Sequence, residues 1–66
     1  MIELDVWRTA AALMQVHGER AAFVAAERAQ EQLDKNDFDG SAVFNRVVSA
    51  IVELERTKPR EGEATN

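Results

Sequence analysis

Residues 43–54 read VFNRVVSAIVEL, and this stretch decides between a helical and a β fold. Its many β-branched residues suit a strand, but its apolar pairs begin at Val43, Val47 and Ile51. That interval of four residues matches the turn of an α-helix and conflicts with the two-residue repeat of a half-buried strand. We therefore predict helix 3 over about residues 41–57 and, with it, an all-α fold.

The N-terminal segment carries the strongest helical pattern in the chain. At 100° per residue, its apolar residues and one histidine share an arc of about 200°. The members are Ile2, Leu4, Val6, Trp7, Ala10, Ala11, Leu13, Met14 and His17. Gly18 follows directly and suits the left-handed position that closes a helix. These features predict helix 1 over about residues 3–17.

The middle segment predicts helix 2 over about residues 19–35, with an apolar stripe made almost wholly of alanine. Small side chains let a neighbouring helix approach closely. We expect the stripe to contain Ala22, Ala25, Ala26, Ala29 and Leu33. Val24 stands alone among charged residues on the other side.

Residues 36–41 read NDFDGS, a run of turn and cap formers, so the chain reverses direction here. Asp37, Asp39 and Ser41 are the alternatives for the residue that caps helix 3. We expect Phe38 to fold back onto the core. The sequence thus predicts one compact three-helix domain over residues 1–58 and a disordered tail over residues 59–66, after a proline that stops the helix.

Composition excludes several classes of function. The 66 residues contain no cysteine, which excludes disulfides and thiolate zinc sites and favours a reducing, cytoplasmic compartment. No secretory signal or membrane-spanning stretch is apparent. An EF-hand reading of the acidic turn places Lys35 and Arg46 where calcium ligands belong. With a single histidine and no nucleophile motif around Ser41 or Ser49, we predict no enzyme activity, metal or cofactor.

Nucleic-acid binding is the alternative function, because helix 1, the turn at Gly18 and helix 2 have about the lengths of a helix-turn-helix regulator. A net charge of −4 disfavours a phosphate backbone or an anionic membrane as partner. The outer face of helix 2 also mixes both signs of charge, with Arg20, Arg28 and Lys35 beside Glu19, Glu27 and Glu31. A small DNA-binding regulator therefore stays the second hypothesis.

Helices 1 and 3 have more apolar surface than a small core needs, and this surplus is the feature of the sequence that indicates binding to another protein. The apolar arcs of helices 1 and 3 both span about 200°, whereas a helix that packs on a core needs somewhat more than 100°. So small a core is marginally stable unless oligomerisation supports it. We therefore predict a homodimer and a non-catalytic protein–protein interaction module. The expected partner-binding residues are Trp7, Val24, Val48 and Val52.

The order of these features resembles a group of short, uncharacterised, all-helical proteobacterial proteins, a domain of unknown function. The shared features are Trp7-Arg8, Ala10-Ala11, His17-Gly18, Ala22 with Ala25-Ala26, the acidic turn from Asp37 to Gly40, and the apolar run from Val47 through Leu54. The resemblance covers most of the chain up to Pro59. Phe44 stands where such proteins often carry a tryptophan. The resemblance implies a stand-alone helical domain and no catalytic residue.

Overall fold

The computed structural model describes residues 3–57, which are almost entirely helical. Helix α1 spans Glu3–His17, a 3-10 turn spans Gly18–Arg20, α2 spans Ala21–Asp34 and α3 spans Phe38–Thr57. The predicted all-α fold is therefore confirmed. The tail predicted at residues 59–66 lies outside the described residues.

A single glycine ends α1. Gly18 has φ +58°, the left-handed conformation expected from the sequence. The chain then makes one 3-10 turn, in which the Ala21 N–H donates a hydrogen bond to the Gly18 carbonyl. Because this tighter turn takes up residues 18–20, α2 begins at Ala21 and not at the predicted Glu19.

Asn36 ends α2 by adopting the left-handed conformation, at φ +63°. Its N–H donates to the Leu33 carbonyl over 2.9 Å, and the Asp37 N–H donates to the Gln32 carbonyl over 2.8 Å. This pair of bonds is the Schellman closure, which satisfies two carbonyls left free at the helix end. Three residues, 35–37, separate the end of α2 from the start of α3.

Asp37 caps α3, which settles the choice among the three candidate caps. Its Oδ1 accepts a hydrogen bond from the Gly40 N–H at 2.9 Å, and its carbonyl accepts one from the Ser41 N–H at 3.0 Å. The helix therefore begins at Phe38, earlier than the predicted residue 41. The expected packing of Phe38 on the core is wrong: its side chain is 66% exposed. It points away from the core because it lies about two and a half turns from buried Val47.

The core lies where α1 crosses the pair formed by α2 and α3. The most extensive interface is between α2 and α3, and α1 packs more on α3 than on α2. Seven residues form the central buried cluster: Val6, Ala10, Ala21, Ala25, Val47, Ala50 and Ile51. Four of these seven are alanine, so the interior contains few large side chains.

The alanine stripe of α2 is rotated relative to the prediction. Ala21, Ala25 and Ala29 are buried, whereas Ala26 and Leu33 are exposed. At 100° per residue, the alanines of α2 share an arc of about 140°, which is wider than the buried stripe, so the alanine pattern alone does not identify the part of the arc that packs.

Substitution of Gly18 tests the helix junction. A β-carbon added at Gly18 would meet no atom within 4 Å, so any cost comes from the backbone conformation. We expect Gly18→Val to lower the free energy of unfolding by at least ~1 kcal/mol, and Gly18→Asn to cost clearly less, because asparagine tolerates positive φ. Urea unfolding of both variants at one protein concentration measures the difference. Equal costs would contradict a purely conformational role for Gly18.

Candidate functional site

A shallow groove runs along the surface between α1 and α3. It has a volume of about 520 Å³ and is lined by Trp7, Arg46, Ser49, Ala50 and Glu53. We call these residues the Trp7 groove. Trp7 is half-buried and packs against the central cluster, which fixes the indole as one wall. Residues of α3 form the rest of the groove.

The groove has opposite charges at its two ends and small side chains between them. Arg46 and Glu53 lie seven residues apart on α3, which is about two turns, so they share one side of the helix. Between them are Ser49 and Ala50. The Ser49 hydroxyl donates to the Asn45 carbonyl at 3.3 Å, a bond along its own helix. This arrangement suits binding more than chemistry, since the hydroxyl proton is directed to the backbone.

Glu53 already has a partner on its own helix. Its Oε2 accepts a hydrogen bond from Arg56 Nη1 at 3.3 Å, and both side chains are more than half exposed. An exposed pair of this kind contributes about 0–1 kcal/mol. The Glu53 carboxylate can therefore take an additional cationic partner at little cost.

Val48 and Val52 lie on another side of α3. At 100° per residue, they are about 130° around the helix from the Trp7 groove. Val48 is half-buried and packs against the central cluster, whereas Val52 is 44% exposed. These two residues, one helical turn apart, form what we call the Val48–Val52 edge.

The four residues predicted to bind a partner therefore do not form one surface. Trp7 belongs to the groove, Val48 and Val52 belong to the edge, and Val24 belongs to neither. Val24 is half-buried on α2, and within residues 3–57 it is not part of the apolar set packed on the central cluster. An apolar arc derived from the sequence describes one helix in isolation. It therefore does not show which part of the arc a neighbouring helix covers and which part stays exposed.

Several groove residues were not identified from the sequence. Arg46, Ser49, Ala50 and Glu53 carry no motif, and only the seven-residue spacing of the two charges indicates a shared side. Leu4 and Ala11 do not line the groove, but they lie about one turn from Trp7 in each direction and form an apolar extension of its side of α1. Leu4 is 53% exposed and Ala11 is also exposed.

Other large apolar side chains are exposed away from the groove. Val16 is 75% exposed on α1, and Phe23 and Leu33 are exposed on α2. Phe23 has a local cationic neighbour, since the Arg20 guanidinium carbon lies 5.4 Å from the centre of its ring. Such a cation–π contact partly covers the ring but leaves it accessible.

The polar candidates are placed differently from the sequence expectation. His17 is exposed, although the helical arc placed it on the apolar side of α1. Gly40, the glycine of the EF-hand reading, lies in the first turn of α3, and the Asp37 carboxylate there caps the helix.

Residues 3–57 contain no cluster of three or more His, Asp or Glu side chains suited to a metal ion. None of the helices described is both long enough and apolar enough to cross a membrane.

Comparison with known proteins gives no relative for this chain: it matches no protein-family model, no curated protein and no solved structure. The resemblance to short proteobacterial helical proteins therefore stays a prediction.

Stability measurements separate the two residues of the Val48–Val52 edge. We expect Val48→Ala to lower the free energy of unfolding by about 1 kcal/mol, because it leaves a gap against the central cluster. The same change at Val52 should cost less than about 0.5 kcal/mol, as is usual for exposed positions. Urea unfolding of both variants at matched concentration measures this contrast. A larger loss for Val52→Ala would show that Val52 is covered in solution.

Proposed function

We propose that this protein is a small, non-catalytic protein–protein interaction module that self-associates as a homodimer. The observation that supports the proposal is the distribution of apolar side chains by size. Alanine makes up most of the buried cluster, and among the large apolar side chains of residues 3–57 only Ile51, Val6 and Val47 are fully buried. The exposed large residues are Leu4, Val16, Phe23, Leu33, Phe38 and Val52.

The energetic argument starts from the small size of the core. A domain below about 70 residues obtains only about 3–5 kcal/mol from a single hydrophobic core. Complete burial of one leucine or phenylalanine side chain is favourable by about 1.5–3 kcal/mol. Covering even a few of the exposed side chains would therefore change the stability by an amount comparable to the total. Association with a second copy provides that burial without any further component.

The arrangement of surfaces also supports binding to another protein. A two-fold homodimer covers the same patch on both copies, and the two surfaces that contain more than one candidate residue are the Trp7 groove and the Val48–Val52 edge; we propose that it uses one of them. The other surface then stays available for a different protein partner. A cytoplasmic setting, without a cofactor, is part of this proposal and follows from the composition. The mixed charges at Glu27, Arg28, Glu31 and Lys35 on α2 favour a protein partner over nucleic acid.

Sedimentation equilibrium tests self-association. We expect the wild-type protein at micromolar concentration to show about twice the chain mass of 7.4 kDa. Dilution should shift the population toward single chains by mass action. A single-chain mass at every concentration up to about 100 µM would contradict the homodimer, because an association that weak supplies little stability.

A further inference from the structure

We infer that the Trp7 groove is the self-association surface and that its occupant is α3 of a second copy of this chain, running antiparallel to the first. This inference rests on the proposed homodimer and adds its location and register. Four observations support it: the spacing of the charges at Arg46 and Glu53, the small residues between them, the indole wall, and the apolar extension on α1.

The spacing of the charges is self-complementary. Arg46 and Glu53 have opposite signs and lie on one side of α3, both exposed. A two-fold axis that crosses α3 midway between them reverses the direction of the second helix. Arg46 of each copy then lies opposite Glu53 of the other, and both pairs have favourable sign. A parallel arrangement in the same register would instead oppose like charges.

The residues at the midpoint allow two helices to approach closely. Exposed Ser49 lies where the axis would cross, beside Ala50, which belongs to the central cluster and lines the groove with 4% of its surface exposed; both side chains are small. Small residues at a crossing point permit the shorter interaxial distances seen between packed helices. The bond from the Ser49 hydroxyl to the Asn45 carbonyl also reduces the cost of burying that hydroxyl.

The apolar contribution to the affinity of the proposed dimer comes from α1. Trp7 forms the wall of the groove, with Leu4 and Ala11 exposed on the same side of that helix. A second copy of α3 in the groove would cover the outer face of the indole, and tryptophan is among the residue types enriched at the energetic centre of interfaces. The ion pairs mainly set the register, since exposed pairs add little affinity. Affinity comes from the covered apolar surface.

Charge reversal with mixing tests this register. In Arg46→Glu, each Glu53 would face a second carboxylate, and in Glu53→Arg, each Arg46 would face a second cation. We expect either variant alone to have a dimer dissociation constant at least about tenfold above wild type. In an equimolar mixture, both 46–53 pairs of the heterodimer regain opposite charges. Native mass spectrometry should then show the heterodimer as the main dimer, with a dissociation constant within about threefold of wild type.

Control variants exclude a general effect of net charge. Arg28→Glu makes the same charge change on exposed α2, and it should leave the dissociation constant within about twofold of wild type. A mixture of Arg28→Glu with Glu53→Arg restores only one of the two 46–53 pairs, so its heterodimer should stay a minor species beside the Arg28→Glu homodimer. Circular dichroism of each variant checks that the helices are retained, as expected for exposed positions.

Cysteine cross-linking provides a second readout that does not depend on charge. The chain contains no cysteine, so a single introduced thiol reports only on its own position. Ser49→Cys places the thiol beside the axis and should give a disulfide-linked dimer under mild oxidation. Gln30→Cys, on exposed α2, should give little of it.

The possible outcomes separate this inference from the proposed function. A wild-type dimer whose single charge reversals have no effect, or are not rescued by mixing, would overturn the groove register and leave self-association standing. Loss of that dimer in Val52→Glu alone would place the contact on the Val48–Val52 edge. A wild-type protein that is a single chain at all concentrations would overturn both proposals. Rescue by mixing together with the Ser49→Cys cross-link supports the groove.

Discussion

The small size of the buried side chains is the constraint on which the rest of this structure depends. Ala21 and Ala25 of α2 and Ala50 of α3 allow the helices to lie close together, and in the described part of the chain they pack beside only three fully buried large residues. Close helix packing leaves little internal space for large side chains. The larger apolar residues are consequently half-buried or exposed, and the molecule presents apolar surface that a second protein can cover.

Two short turns hold this arrangement in place. Gly18 and Asn36 both adopt left-handed conformations, which end a helix and change the direction of the chain. Asp37 participates in the ends of two helices, because its N–H closes α2 while its carboxylate caps α3. The short connection fixes α3 against α2 and leaves the other side of α3 to α1. The Trp7 groove forms there, because Trp7 is the residue of α1 that borders the exposed charges of α3.

The helical fold and its turns were predictable, whereas the position of the candidate binding surface was only partly so. The four-residue interval of Val43, Val47 and Ile51 identifies α3, and Gly18 identifies the end of α1, because both depend on local backbone geometry. The buried side of α2 could not be predicted in detail because its alanines share an arc of about 140°, wider than the part that is buried. The separation of Trp7 from Val52 depends on where α1 crosses α3, a tertiary feature that no single-helix pattern contains.

The intrinsic fluorescence of Trp7 on dilution tests the central claim most directly, because Trp7 is the only tryptophan in the chain and the chain has no tyrosine. If a second copy covers the indole, its emission maximum should move to longer wavelength on dilution from about 100 µM to about 100 nM, as the dimer dissociates. The account predicts that shift. A constant emission maximum over concentrations at which sedimentation shows the dimer dissociating would contradict self-association through the Trp7 groove.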